Sequence, residues 1–482
     1  VGALLGASSI AVLAQDTRVV TEPVISATCV RLEARIIAVG EKIAEADEAR
    51  GDSTRIQNAI DHCGPGRAVE LAPETTNVKK AAGQPLGNAF LSGPLELREG
   101  VTLLIDKGVT LFASRHAADY DTVVGSGVCG TLGVKGRCRP FITIRAKHTA
   151  IMGDGVIDGR GGAKLLDKGY SWWALAVKAE PGNIPYSDPR LIDAAQADGF
   201  TLYRITLHNS PNFHVGVAQT DGFTVWGVHL KTPTVEPGPN DPRPRNTDGI
   251  DPGTSTNITI AHSWIDNGDD NIAIKSGVTH MSVIDNHFYS GHGMSIGSET
   301  YGGVSQLLVD GLTEERTTSG IRIKSNATRG GLVHDLVYRN VCMRDVKMPI
   351  SISPYYNEGT TEPLADPGIK GDRIPDYKSI TLDNVFDETP GEVLIAGFDD
   401  QHRTEIDWDG VHIEGILPAE MHVVFADLHQ KSCSAYHNGP LMNLPLTGLP
   451  ASVKIIPSSE TGCAADTTHP VDPCEGKFVP MQ

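Results

Sequence analysis

Brief apolar runs rich in Val, Ile and Leu, each closed by glycine or an Asn/Asp-containing break, recur along most of this chain. The segment "AFLSGPLELREGVTLLIDKGVTLFAS" at 89–114 is broken at Gly100 and Gly108 and predicts strand, turn and strand. The same texture continues through 142–162, 199–230, 256–277, 279–297, 304–325, 332–341 and 377–386. Comparable strands begin near Ile258, Ser282, Leu307 and Leu336, in steps of 24, 25 and 29 residues. A repeat of that length predicts a solenoid whose turns stack as parallel sheets around one dry core. A doubly wound α/β domain would need amphipathic crossover helices, and none is found between 200 and 345. An antiparallel sandwich also uses short, closely spaced strands. The near-constant period and the repeated "DN", "HN" and "RN" before turns favour the solenoid, with most of those polar side chains serving turn amides.

One helical pattern stands apart. In "STRIQNAIDHC" at 53–63, Ile56, Ala59 and Ile60 share a face, which predicts a short helix closing the N-terminal end of the core, capped by Ser53 or Thr54. The expected fold class is therefore all-β, a parallel β-helix with an N-terminal capping helix, forming a single domain over 15–482. The proline-rich stretch 231–249 and the segment 353–379 are the longest departures from the repeat. Both adjoin the turns that carry the candidate chemistry, where loops can wall a groove. From about 430 the periodicity weakens, and this section is expected to pack as a cap or tail, because a bare end coil exposes core and unpaired strand edges.

Composition changes this picture in three ways. The chain has 482 residues, 40% hydrophobic and 21% charged, which excludes disorder, and its 52 scattered glycines suit many tight turns. A formal charge of -18 argues against nonspecific nucleic-acid binding and repels an acidic polymer at long range, so local cations must supply any attraction for a polyanion. The opening "VGALLGASSIAVLAQ" resembles the apolar part of a clipped secretory signal ending after Ala14, and no other stretch is long and apolar enough to span a membrane. A secreted or periplasmic location is expected. Eight cysteines fit export if they pair; Cys129 with Cys138 is the favoured local bridge and Cys463 with Cys474 the next, and none falls in a zinc-like CxxC arrangement.

The chemistry concentrates in consecutive turns. Asp248 in "NTDG" lies 21 residues before Asp269 in "GDDNIAIK", close to one turn, so the two fall on neighbouring strands or bends. Asp270 follows directly and can share the groove with Asp269 only if the backbone bends, since successive strand residues face opposite ways. Three carboxylates are costly in a core and useful in a cleft, where one can protonate a leaving oxygen and another activate water. Close carboxylates also raise one another's proton affinity. His292, in "GHGMSIGS" at 291–298, comes 22 residues after Asp270 between two glycines and can bond a carboxylate or a sugar hydroxyl. Arg322 and Lys324 in "RIKS" alternate along a strand and so face one side, as cations for a sugar carboxylate would.

These four segments, in this order and spacing, with "NSPNFHV" at 209–215, resemble the signature segments of the polygalacturonases, the pectin-hydrolysing glycoside hydrolases of family 28. The resemblance covers roughly residues 50 to 400. It implies a right-handed parallel β-helix, single-displacement hydrolysis with inversion, and no cofactor or metal. By that resemblance Asp269 is the general acid, Asp248 and Asp270 orient and deprotonate water, and His292 supports the acid and the bound sugar. Arg322 and Lys324 hold the galacturonate carboxylate, and Asn246 belongs to the substrate-binding shell. A family tyrosine follows the "RIKS" segment; here "SPYYNEG" offers both Tyr355 and Tyr356, with Tyr356 preferred. Inversion predicts acid and water-activating carboxylates roughly 6.5–9.5 Å apart, against about 5–5.5 Å for retention.

The expected function is endo-hydrolysis of the α-1,4-galacturonosidic bonds of de-esterified homogalacturonan by a monomer whose partner is the polysaccharide, with neither nucleic acid nor membrane. Four alternatives stand beside it: an exo-acting relative, a rhamnogalacturonan hydrolase, a calcium-dependent pectate lyase on the same fold, and a noncatalytic polysaccharide-binding β-helix. The last would not need a protonatable Asp269.

Overall fold

The structure, a computed structural model, describes residues 15–75, 85–232, 243–357, 365–366, 368–430, 444–457 and 473–481. The expected signal segment at 1–14 lies outside the described residues, as do Cys433 and Cys463. The chain forms a right-handed parallel β-helix: nearly every strand pairs in parallel with the strand one coil before and one coil after it, giving sheets of 22 and 11 strands. One antiparallel pair, Ala38–Val39 with Lys42–Ile43, stands outside them.

The core follows from stacked inward columns. Val69, Leu103, Ile151, Leu202, Val225, Ile260, Val283 and Val309 occupy one position in successive coils. All are fully buried. Branched side chains suit this role because they pack on their counterparts above and below with little rotamer freedom to lose. The register differs by one residue from the expectation at one place. Ile258 pairs with Met281, and Met281 with Leu307, so the inward column runs through Met281 rather than Ser282. A one-residue slip reverses the face, and Ser282 points away from the core.

The helix over Ser53–His62 buries Ile56 and Ile60 against the first coils. Its N-cap is Asp52, not Ser53 or Thr54; Ser53 Oγ instead accepts from the amide of Gly93 at 2.8 Å. A disulfide from Cys63 to Cys29 ties the helix end to the first strand, and Cys129 bonds Cys138 as expected. Cys474 bonds Cys342 across 132 residues of sequence, which corrects its expected pairing with Cys463. Geometry decides this: residues 473–481 run back along a middle coil, where Val479 carbonyl accepts from Tyr289 Oη at 2.9 Å and the Phe478 ring lies 4.3 Å from the Arg344 guanidinium carbon. Strand Val453–Pro457 continues the stack on Ala426–Gln430.

An N-terminal arm crosses the outside of the larger sheet against the direction of coil growth. The Asp16 amide donates to Ser282 Oγ (3.0 Å) and its carboxylate accepts from Thr259 (2.7 Å). Arg18 reaches the Phe223 carbonyl, Glu22 accepts from Tyr203, and Ser26 accepts from Thr102. The arm thus touches coils whose outer faces carry Tyr203, Met152 and Leu104, a small apolar cluster outside the main core.

Candidate active site

The candidate residues gather on the outer face of the 11-stranded sheet, at the ends of strands Ile250–Gly253, Ile272–Ile274, Met294–Gly297 and Ser319–Lys324. Asp248, Asp269, Asp270, His292, Arg322, Lys324, Asn246 and Tyr356 line one cleft. Its walls come from the helix Trp172–Ala179 with the residues that follow it, and from the loops beyond Lys324.

The bend that lets neighbouring aspartates share the cleft is built from asparagine. Asn267 is fully buried, and its Nδ2 donates to the carbonyls of Thr247 (2.9 Å), Asp269 (3.2 Å) and Asp270 (2.9 Å). Asn271 donates to Asn267 Oδ1 (2.7 Å) and to the Ser290 carbonyl (2.6 Å), and accepts from Gly293 (2.8 Å). These amides replace ladder hydrogen bonds that a bend forfeits. Gly268 is required because a Cβ there would stand 2.2 Å from the Pro244 carbonyl oxygen. Gly291, at φ +112° and with the Asp269 carbonyl 2.6 Å from any Cβ, lets the next coil come close enough for the His292 amide to reach that carbonyl at 2.9 Å.

The two aspartates of the bend differ in what holds them. Asp270, 1% exposed, accepts from Arg322 (2.9 Å) on one oxygen and from Lys324 (2.8 Å) on the other. Burial raises its proton affinity, but these two cations reverse that and hold its carboxyl below the usual range. Asp269 is 22% exposed and meets the more open His292 ring at 3.2 Å. Burial again works upward, and the His292 hydrogen bond, with the charges of His292 and Lys324, carries the balance well below the usual carboxylate range. Asp248 goes the other way, pushed well up by burial and then by the charges of Asp251 and Asp269.

Tyr356 faces the cleft, with Lys324 Nζ 5.3 Å from its ring centre. Tyr355 does not line it, a correction to its place among the substrate-binding residues. Its hydroxyl donates to the carbonyls of Gly397 and Phe398, and its ring packs on Leu394 and Ala396. Adjacent residues in an extended segment face opposite sides, so one tyrosine reaches the groove and the other is structural. One oxygen each of Asp269 and Asp270 and a ring nitrogen of His292 lie within 4.8 Å of one another, both aspartates sitting on a single tight bend. Asp269, Asp270 and His292 have the spacing of metal ligands. Both Asp270 oxygens already bind cations, so a divalent ion would sit against two fixed positive charges, and the set does not fit one.

Several residues in or behind the cleft are not singled out by the sequence. His214, from "NSPNFHV", is fully buried behind Asp248; its amide and Nδ1 reach the Asp248 carbonyl at 2.8 and 3.0 Å, and burial pushes its imidazole down to about 4. Tyr186 donates to Asn246 at 3.4 Å. Arg245, Lys275, Arg329 and Lys347 add positive charge to that of Arg322 and Lys324. Alternation along Ile272–Lys275 marks Lys275 as outward-facing, whereas Arg245 and Arg329 lie in loops where periodicity gives no side.

Comparison with known proteins agrees with this geometry. Residues 75–433 match the model of glycosyl hydrolases family 28. An endo-polygalacturonase of Pectobacterium carotovorum subsp. carotovorum is 40% identical over 417 residues, 85% of this chain and 92% of that protein. A polygalacturonase of Ralstonia nicotianae is 36% identical over 517 residues, 95% of this chain and 91% of that protein. The solved polygalacturonase of Erwinia carotovora ssp. carotovora superposes with a TM-score of 0.71 at 38% identity, covering 85% of this chain and 100% of that one. The fold and site define a glycoside hydrolase. The chain belongs to glycosyl hydrolases family 28.

Proposed function

We propose that this protein is an endo-polygalacturonase, cutting the α-1,4-galacturonosidic bonds of de-esterified homogalacturonan. The observation that carries the proposal is one cleft holding a partly open Asp269–His292 pair beside an Asp270 fixed by Arg322 and Lys324, in a chain of net charge -18 whose cations converge there. In this scheme Asp269 protonates the glycosidic oxygen, Asp248 and Asp270 orient and deprotonate water, and His292 supports the acid. Arg322 and Lys324 receive a uronate carboxylate next to the scissile bond, with Asn246 and Tyr356 beside it. The similarity to the Pectobacterium enzyme supports endo action.

In the free protein Asp269 is the more acidic partner and Asp248 the less, the reverse of what the reaction needs. Substrate corrects this. A uronate carboxylate seated on Lys324 neutralises one of the charges that hold Asp269 ionised and places a negative charge nearby, which raises its proton affinity. Binding therefore arms the acid.

Single displacement with inversion remains the proposed course. The Asp269–Asp270 approach favours a second scheme, retention through a glycosyl ester on Asp270, since close carboxylates are its hallmark. Against it, Asp270 is 1% exposed and pinned on both oxygens by Arg322 and Lys324, an arrangement that suits holding a small water molecule better than bonding an anomeric carbon. Export and a monomeric state complete the proposal, the former supported by the three disulfides among the described residues; fractionation of the producing cells and light scattering test them.

The deciding experiment incubates purified protein with de-esterified polygalacturonate without added metal. Reducing ends, oligomer lengths and absorbance of unsaturated uronate are followed, with proton NMR of the first anomer formed. A ladder of saturated oligomers with initial β-anomer is expected. Mono- or digalacturonate alone from the outset means exo action, initial α-anomer means retention, and unsaturated product overturns the hydrolytic roles. No cleavage turns the search to rhamnogalacturonan and then to a binding protein, for which Asp269→Asn leaves polysaccharide binding intact.

A further inference from the structure

A fourth carboxylate lies buried behind Lys275, a residue that lines this cleft. Asp251, three residues beyond Asp248, is 4% exposed, and both of its oxygens are buried without a hydrogen-bond partner. One oxygen of Asp248 is in the same condition. Lys275 Nζ lies 3.7 Å from Asp251 and is held from its other side by the Gly297 carbonyl at 3.1 Å. In the ladder, Asp251 pairs with Gly216 of the preceding strand, and one step past the Ile250–Ile272 pair it faces Ala273 on the next. Both neighbours are small and offer no side-chain donor, which leaves Lys275 as the cation beside the carboxylate. A buried, undonated carboxylate is expensive. A position needed only for the strand would hold a small neutral residue like those beside it.

The charges around Asp248 are few and named. Asp251 faces it from its own segment, Asp269 and Asp270 from the following bend, Lys275 from the following strand, and His214 holds its carbonyl from the preceding coil. Arg190 also acts on Asp251 from the preceding side. We propose that Asp251, held by Lys275, is a positioning residue for the hydrolysis, acting through Asp248: its negative charge and the opposing ammonium together set how readily Asp248 takes a proton from water. The proposal rests on the polygalacturonase function above.

The two members of the pair must then act with opposite sign. Asp251→Asn removes a negative neighbour, so Asp248 ionises more easily and the acidic limb of kcat/KM, which reports the base, moves to lower pH. Lys275→Gln removes the cation, and the limb moves to higher pH. Each shift is expected to be about one pH unit, and the double variant returns close to wild type. Circular dichroism checks the folding of each. Should Asp251→Asn not fold, the upward shift of Lys275→Gln carries the test alone. Limbs that stay in place, or move in the same direction, in the presence of an active wild type overturn the proposal. A wild type inactive on polygalacturonate at every pH overturns instead the function on which it rests.

Discussion

Replacing Asn267 by alanine should cost this protein activity as well as stability, and the two losses can be separated. The Asn267 amide donates to the Thr247, Asp269 and Asp270 carbonyls, the last two of which also accept from the amides of His292 and Gly249. Alanine therefore removes four hydrogen bonds, three donated by Asn267 and one accepted from Asn271, worth about 0.5–1.5 kcal/mol each. A loss of roughly 2–6 kcal/mol follows, large against a typical total of about 5–15 kcal/mol. Two of the three carbonyls belong to Asp269 and Asp270, whose carboxylates are proposed to do the chemistry, so kcat on polygalacturonate should fall by about tenfold or more in protein that remains folded. Asn286, a buried amide at a different turn of the next coil, beside Ser263, donates to Ile260 and Ile284 and is not among the residues lining the cleft. Asn286→Ala is the control: a similar fall in the urea midpoint, with kcat and KM of the folded fraction unchanged. If Asn267→Ala lowers stability by less than about 1 kcal/mol, or lowers it and leaves kcat at the wild-type value, the amide scaffold does not position the acids as described.

Other outcomes follow from the same structure. Tyr356→Ala should raise KM several-fold with little change in unfolding midpoint, while Tyr355→Phe should cost about 0.5–1.5 kcal/mol of stability and leave KM alone; exchange of these effects would reverse their assignment. Glu314 is fully buried, and burial pushes its carboxyl up to about 8, against roughly 4.3 in an unfolded chain. A raised pKa gives stability that is complete below the unfolded value and lost as pH rises toward the folded one. Glu314→Gln should therefore be the more stable protein at pH 8 by an amount on the order of 2 kcal/mol, the gap closing near pH 4; an equal gap at both pH values would refute the linkage. Because Arg322 and Lys324 already occupy Asp270, chelators should leave hydrolysis unchanged, and a loss restored by calcium would show a metal-dependent site instead.

The sequence made the catalytic constellation legible because a β-helix converts a repeat near the length of one coil into spatial contact. Asp248, Asp269 and His292 are separated by about that length, and strand alternation alone put Arg322 and Lys324 on one side. What remained hidden depended on register or on loops. Ser282 was taken for Met281 because both fit the period, and only pairing decides which faces inward. The two tyrosines were equivalent until the path of the loop after Lys324 turned one toward Lys324 and the other toward Gly397. Proximity in sequence suggested Cys463 for Cys474, whereas the returning C-terminal segment brings Cys342 to it. The narrow Asp269–Asp270 approach and the load on Asp251 both come from how closely the bends pack, which no spacing along the chain encodes.

The arm that begins at Asp16 imposes an order of events on synthesis. Its first contact, Ser282, lies 266 residues further along the chain. During vectorial synthesis the early coils can stack as they emerge and take up the arm from Ser26 towards Arg18, but its far end at Asp16 cannot complete its contacts until the coil carrying Ser282 exists. Its completion therefore acts as a clasp that closes late, joining coils that a solenoid would otherwise let come apart one neighbour at a time. A nascent chain truncated before Thr259 should leave the end of the arm at Asp16 open and protease-sensitive, and one extended past Ser282 should hide it.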